Sequence, residues 1–210
     1  MHTTGNSDST TIGGSLKVVH EVSPWKAVFQ SAILRATDRE VKTAERLDAG
    51  LRVERALGAR LAVYAQSSYL RNVFAGIDGQ ETLEGGGLYK IAVGPTHFLS
   101  AGAALSHVWE QRGAPQPNVD FLGGRGTVSY KWHLSSAADF TEDLDYLQSF
   151  DASDDWRIGS KAALTASVSR VFGLKVSHVL LHYNRPVPGK KETDATVLAS
   201  IVAKWPGPAK

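Results

Sequence analysis

The stretch Arg46-Leu47-Asp48-Ala49-Gly50-Leu51-Arg52-Val53-Glu54 alternates between aliphatic residues and residues that are charged or glycine. In a β-strand, successive side chains point to opposite faces, so this stretch would present one aliphatic face and one charged face. The same period of two recurs in residues 12–19, 125–132 and 161–169. The sequence therefore predicts an all-β protein whose strands each carry two unlike faces.

Turn-forming residues separate these runs at regular spacing. They predict eleven strands, over residues 9–22, 25–37, 42–56, 60–74, 80–93, 97–111, 118–133, 137–149, 155–171, 174–185 and 192–205. Every second connection is short: Ser23-Pro24, Leu57-Gly58-Ala59, Gly94-Pro95-Thr96, Leu134-Ser135-Ser136 and Phe172-Gly173. The connections between them are mostly longer and more polar: Thr37 to Val41, Ala75 to Gln80, Arg112 to Pro117, Asp151 to Asp155 and Pro186 to Lys191. Short periplasmic turns that alternate with longer outer loops are typical of an up-and-down antiparallel transmembrane β-barrel.

Aromatic residues support this prediction because they cluster near the strand ends. Trp25, Trp132 and Trp205 lie by the short turns, and Trp109 and Trp156 lie by the long loops. Two aromatic bands are the interfacial girdles expected of a membrane barrel. The alternative is that the aromatics cap the core of a soluble β-protein.

The composition limits the possible partners and chemistry. The 210 residues suit one domain, and 23 Lys and Arg against 21 Asp and Glu leave no basic run for nucleic acid. The chain has no cysteine, which excludes disulfides, cysteine-based zinc sites and thiol catalysis. No cofactor and no metal site are predicted.

Strand parity leads to an expectation about the N-terminus. The last strand ends on the short-turn side at Trp205, so eleven strands would start the chain on the long-loop side. Bacterial single-chain barrels have even strand numbers. We therefore expect a barrel domain over 1–205 with a twelfth strand and a signal peptide encoded upstream of Met1, followed by a tail over 206–210.

The segment Tyr183-Asn184-Arg185-Pro186-Val187-Pro188-Gly189-Lys190-Lys191-Glu192-Thr193-Asp194 resembles the salt-induced outer-membrane protein family, a family of unknown function. Weaker matches are Thr4 to Asp8, Tyr69-Leu70-Arg71 and Gly86-Gly87-Leu88-Tyr89. The resemblance implies a cell-envelope protein in the outer membrane of a Gram-negative bacterium. Its expected partners are outer-membrane lipid, lipopolysaccharide and the barrel-assembly machinery. The chain departs from the family in lacking the first strand and in continuing past Trp205, and the family supplies no catalytic residues.

The charged faces of the strands are expected to line the lumen. The predicted lumen-facing residues are Arg46, Asp48, Arg52, Glu54, Glu84, Lys90, Arg125, Lys131, Asp143, Asp145 and Lys161. One hypothesis is a narrow polar channel for an unidentified small solute. The other is a lumen crossed by ion pairs and closed to solutes. The mixed charges argue against strong ion selectivity in either case.

Other sequence features give weak signals for chemistry. Asp143 and Asp145 could act as an acid/base pair, but carboxylates on a strand more often pair with neighbouring Lys or Arg. The acidic loop 151–155 could bind Ca²⁺, or lipopolysaccharide through bridging cations, but a solvated loop is the simpler interpretation.

Residues 186–191 lack the spacing of a P-loop, so Lys190 and Lys191 are expected to face solvent or lipid phosphate. His178 and His182 lie four residues apart on a strand, about 13 Å, which is too far for a shared metal ion.

We therefore predict a non-enzymatic outer-membrane barrel with either a narrow-channel or an envelope-stress structural role. One alternative is an outer-membrane enzyme acting on lipid or lipopolysaccharide. The other is a soluble β-barrel that binds an apolar ligand, which would need the aliphatic faces inside and the charged faces outside.

Overall fold

A computed structural model describes residues 2–3, 9–38, 41–169 and 171–203, and nearly all of them lie in β-strands. The strands are β1 (His2–Thr3), β2 (Ser9–Val22), β3 (Trp25–Asp38), β4 (Val41–Ala56), β5 (Leu61–Asn72), β6 (Ile77–Val93), β7 (His97–Arg112), β8 (Val119–His133), β9 (Ala138–Ser149), β10 (Trp156–Ser167), β11 (Phe172–Tyr183) and β12 (Thr193–Ala203). A single 3-10 helical turn, Val73–Ala75, lies between β5 and β6 in the described part of the chain. None of the described residues belongs to a helix with the length and apolar character required to span a membrane.

Each strand pairs antiparallel with the next, in the order β1 to β12. The eleven long strands, β2 to β12, confirm the prediction of an all-β, up-and-down antiparallel fold, with strand ends within four residues of those predicted. The two-residue β1 pairs with the start of β2 and was not predicted.

The sheet is strongly curled. The Arg157 side chain on β10 donates to the Gln80 side chain on β6 at 2.9 Å, although three strands lie between β6 and β10. At about 4.8 Å per strand, the two backbones would be about 19 Å apart along a flat sheet. The face that carries Arg157 is therefore the concave, inner face.

The two faces differ sharply in composition. On β7, Leu105 is 60% exposed on the convex face, whereas its neighbour Ser106 is fully buried on the concave face. The buried apolar cluster of Val108, Phe121 and Leu147 also lies on the concave face. Most exposed aliphatic side chains lie on the convex face, which is the reverse of what a soluble barrel with an apolar interior requires.

Two local boundaries differ from the predicted ones, and hydrogen bonds explain both differences. Residues 172 and 173 were predicted as a turn, but they begin β11, and the turn precedes them because the Ser169 hydroxyl accepts from the backbone N–H groups of Val171 (3.2 Å) and Phe172 (3.0 Å). Strand 60–74 was predicted too long, because the Asn72 side chain accepts from the Ala75 N–H (3.3 Å) and starts the 3-10 turn. In both places a side chain accepts hydrogen bonds from the backbone and ends or starts an element, and the alternation of apolar and polar residues does not predict such bonds.

Candidate functional site

Backbone register places the eleven predicted lumen residues on the concave face. Cross-strand pairing links Arg52 to Gln66, Gln66 to Glu84, and Glu84 to Ser106. The same face continues through β8 to β10. It carries Arg46, Asp48, Arg52, Glu54, Glu84, Lys90, Arg125, Lys131, Asp143, Asp145 and Lys161.

Three of these residues form the central ion cluster. Arg125 on β8 lies 2.9 Å from Glu84 on β6 and 2.9 Å from Asp145 on β9. Its pair with Glu84 spans the intervening β7, where Ser106 donates to Glu84 at 3.3 Å. Asp145 is thus partnered by a guanidinium rather than poised with Asp143 as an acid/base pair.

A second group lies along β3 to β5. Arg52 is 2.8 Å from Glu54, and its guanidinium stacks 3.5 Å from the centre of the buried Tyr64 ring. Lys26 also contacts Glu54, at 3.5 Å. Arg46 pairs with Asp48 on its own strand, at 3.2 Å. Acids and bases alternate here, so this wall carries little net charge.

Solvent reaches several other charges on the concave face. Asp143 and Lys161 are both exposed and lie opposite each other in the register of β9 and β10. Lys90 is exposed near the short-turn end, and Lys131 is 3.6 Å from Asp139. Much of the charged lining is therefore hydrated rather than packed.

The long-loop end, here called the outer mouth, carries a buried ion network. Arg157 on β10 donates to Glu110 on β7 at 2.7 Å, and Glu110 also accepts from Arg112 at 2.6 Å. Asp155 lies 3.6 Å from Arg157. Glu110 is only 2% exposed, so this network fills the concave space between β6, β7 and β10.

Aromatic rings hold Arg157 in place. Its guanidinium lies 5.1 Å from the Phe121 ring and 5.3 Å from the Tyr183 ring. Sequence reasoning missed Arg157 and Glu110, although a signal was present. Each follows a girdle tryptophan, Trp156 or Trp109, so alternation alone would have assigned both to the lumen.

The loop between β11 and β12, residues 184–192, folds across the outer mouth. Val187 is 5% exposed, and a Cβ added at Gly76 in the β5–β6 connection would lie 2.9 Å from its Cγ1. The β11–β12 and β5–β6 connections are six strands apart along the sheet, so this contact spans the concave face. Backbone bonds shape the loop, with Lys190 N–H donating to the Val187 carbonyl at 2.9 Å.

Both lysines of this loop are exposed, as expected. Lys190 and Lys191 are exposed to solvent, and a Cβ at Gly76 would lie 3.3 Å from Lys190 Cε. Asp154 in the acidic loop accepts from Arg185 at 3.4 Å and, through its carbonyl, from Asn184 at 2.7 Å. The acidic loop therefore serves as an anchor for the β11–β12 loop.

The predicted girdle tryptophans lie at strand ends on the convex face. Trp25 begins β3 and Trp132 lies one residue before the end of β8, both by short turns. Trp109 lies near the end of β7 and Trp156 begins β10, both by long loops. Trp205 lies outside the described residues.

The described residues contain no cluster of three or more His, Asp or Glu side chains suited to a metal ion. His182 instead contacts Thr193 at 2.8 Å and the ring of Trp156 at 5.0 Å, and His178 pairs in register with Ala162. The chemistry of the concave face is that of ion pairing.

Comparison with known proteins supports the β-barrel fold. The family described as "Protein of unknown function, DUF481" matches residues 1–205. This chain belongs to that family. A solved structure described as the NanC porin superposes with a TM-score of 0.60 at 10% identity, covering 95% of this chain and 97% of the porin chain. The DUF481 chain thus has a porin-like fold, and no curated protein matches it in sequence. The resemblance to salt-induced outer-membrane proteins stays a prediction.

Proposed function

We propose that this DUF481 protein is an outer-membrane β-barrel that forms a narrow solute pathway, closed at its outer mouth in the conformation described. The observation that carries the proposal is the Arg157 network, in which one guanidinium joins Glu110 and Gln80 across the concave face. The Val187 loop lies over the same opening.

The convex face supports a membrane location. Its strands present aliphatic side chains outward over most of their length, including Leu51, Leu105 and Leu144. Tryptophans flank this surface at both strand ends, as interfacial girdles do. The porin-like fold supports the same location. Outer-membrane lipid, lipopolysaccharide and the assembly machinery are the partners that such a barrel requires.

The hydrated lower lumen favours a pathway over a filled structural barrel. Asp143 and Lys161 are exposed on the concave face, whereas Glu110 and Arg157 at the mouth are buried. A filled barrel of purely structural role in envelope stress would be packed along its whole length. Closure at one level of an otherwise wet lumen is the arrangement expected of a constricted channel.

The same lining argues against catalysis and against strong charge selectivity. The Asp145 carboxylate is held by Arg125, and Glu110 is held by two arginines. At the mouth, two acidic and two basic side chains balance each other. The pathway is therefore expected to pass small polar solutes with weak preference for either ion sign.

Planar-bilayer recording tests the proposal. The wild-type protein should show rare, small openings, and the double substitution Glu110→Gln/Arg157→Gln should raise the mean conductance, because amides lack the charges that draw the two walls together. Arg55→Gln is the matched control, since Arg55 lies on the convex face and stacks on Trp25 at 5.5 Å. Heat-modifiable migration on a detergent gel and fractionation with the outer membrane should accompany both variants.

The contrary outcomes are distinct. Equal, negligible conductance in the wild type and the double variant would indicate a filled structural barrel. Recovery of the protein in a soluble fraction would defeat the membrane location itself. Release of fatty acid or transfer of an acyl group by the purified protein would favour the enzyme alternative.

A further inference from the structure

A groove lies on the outside of the sheet at the long-loop ends of β3, β4 and β5. Its volume is about 250 Å³, and it is lined by Ile33, Leu34, Arg35, Glu45, Arg46, Leu47 and Arg71. This set of residues is here called the basic groove. Leu34 and Arg46 occupy the alternate positions whose side chains lie on the concave face, so the convex lining of the basic groove consists of Ile33, Arg35, Glu45, Leu47 and Arg71.

Register places the main groove residues on the convex face. Ile33 pairs with Leu47, and Leu47 pairs with Arg71, while Arg35 pairs with Glu45 in the next row outward. Ile33 and Leu47 are 57% and 40% exposed, which leaves an uncovered aliphatic floor below the charged rim. The basic groove thus combines an aliphatic row, Ile33 and Leu47, that Arg71 continues on β5 with the Arg35–Glu45 row nearer the long loops.

The described charged residues on the convex side of the basic groove are two arginines and one glutamate. Arg71 lies 3.5 Å from Glu45, and Arg35 is paired with Glu45 in the backbone register. Both arginines are exposed. Among the strand side chains that the structure describes, the lysines and arginines on the convex face toward the long-loop ends are Arg35 and Arg71. Glu81 lies on the same face of β6, the strand next to β5, and Asp120 lies farther away on β8.

We propose that the basic groove binds a phosphorylated acyl lipid of the outer leaflet, of the lipid A class. The two guanidiniums would hold a phosphate, and Ile33 and Leu47 would contact an acyl chain. The inference rests on the proposed function in one respect, because it requires the convex face to lie in the outer membrane with its long loops outward.

The chemistry of the basic groove fits this ligand at both ends. Guanidinium groups bind phosphate oxygens through paired, charge-assisted hydrogen bonds, and two such groups on adjacent rows can share one phosphate. Acyl chains bind an exposed aliphatic floor by removal of apolar surface from water or by replacement of other lipid. A soluble anion would use only the rim and would leave the floor uncovered.

Binding of diphosphoryl lipid A to the folded protein in zwitterionic detergent, followed by native mass spectrometry, tests the inference. The double substitution Arg35→Gln/Arg71→Gln should raise the half-saturating lipid A concentration by about 30-fold, since each basic side chain near a lipid surface contributes about one kcal/mol. Arg55→Gln, which removes an exposed convex arginine at the short-turn end, should leave that concentration unchanged. Lipid A stripped of phosphate should bind the wild type as weakly as diphosphoryl lipid A binds the double variant.

Three results would overturn the inference: equal lipid A binding by the wild type and the double variant, equal binding of the dephosphorylated lipid, or displacement of lipid A by inorganic phosphate at an equal concentration. Heat-modifiable migration of every variant separates this failure from that of the proposed function. A protein that migrates as a folded barrel but does not bind lipid A would contradict only the proposed lipid site in the basic groove. One that never folds into detergent or membrane contradicts the barrel proposal.

Discussion

Gly76→Ala should dislodge the loop that covers the outer mouth. Gly76 has φ +78°, and a Cβ there would lie 2.9 Å from Val187 Cγ1 and 3.1 Å from Val187 Cβ. Contacts this short do not persist, so either the 3-10 turn or the Val187 loop must move. The other hydrogen bonds that the loop makes to neighbouring segments lie at its β11 end, from Asn184 and Arg185 to Asp154 and from the Asn184 N–H to the Trp156 carbonyl at 3.0 Å, so we expect the loop to move rather than the turn.

The size of the effect follows from two contributions. A left-handed backbone conformation costs a non-glycine residue about 1–2 kcal/mol. Displacing the loop also exposes the buried Val187 side chain, which costs up to about 1.5–3 kcal/mol. Gly189→Ala supplies the matched control, since Gly189 has φ +82° but nothing lies within 4 Å of an added Cβ. Gly76→Ala should therefore lower the free energy of unfolding more than Gly189→Ala does, and the difference should equal the cost of exposing Val187.

Urea unfolding in micelles, followed by tryptophan fluorescence, measures the stability difference, and bilayer recording measures the opening of the mouth. Gly76→Ala should raise conductance more than Gly189→Ala does. The added substitution Val187→Ala should abolish most of the difference between the two glycine variants, because it removes the atoms that clash. If Gly76→Ala and Gly189→Ala lowered stability equally and left conductance equal, the contact across the mouth would be refuted.

Three further predictions concern the concave face and the convex face of the sheet. Arg157→Gln alone leaves Glu110 with one of its two arginines and should destabilise the barrel by about 3–5 kcal/mol in urea unfolding. The double substitution Glu110→Gln/Arg157→Gln should destabilise it by less than half as much, because it removes both charges of the pair. Equal losses of stability would contradict the pairing. Arg125→Ala should lower the free energy of unfolding by about 1–3 kcal/mol, because it leaves the buried Glu84 without its guanidinium. The reversal potential should also shift toward cation preference. An unchanged reversal potential would place Arg125 outside the pathway. Leu105→Arg, at the middle of β7 on the convex face, should destabilise the folded protein in bilayers by about 2–4 kcal/mol, and an unaffected unfolding midpoint would exclude lipid contact there.

Strand positions were predictable from sequence because each strand has two chemically unlike faces. In β4, the alternation from Arg46 to Glu54 fixes both the strand and the face that each residue occupies. The same parity assigned Glu84, Arg125 and Asp145 to one face, and the structure brings these three together. Local chain geometry alone was enough to predict the face of each residue, because successive residues of a strand lie on opposite faces.

The outer mouth was not predictable in the same way. The contact between Arg157 and Gln80 depends on how far the sheet curls over several strands, which no local pattern encodes. The burial of Val187 likewise depends on a loop crossing to Gly76, and in sequence the Pro-Val-Pro-Gly segment resembles an ordinary solvated turn. Local pattern therefore predicts the wall of the barrel but not what spans it.

In the proposed barrel, the aliphatic rows contact lipid while the charged rows line water. The chain has no native cysteine, so a nitroxide can be attached at one introduced cysteine at a time. Asp143 and Leu144 are adjacent exposed residues that lie on opposite faces of β9. In membranes, a label on Leu144→Cys should be relaxed mainly by dissolved oxygen, and a label on Asp143→Cys mainly by a water-soluble nickel complex. The opposite assignment, or equal access of the nickel complex at both sites, would contradict the account.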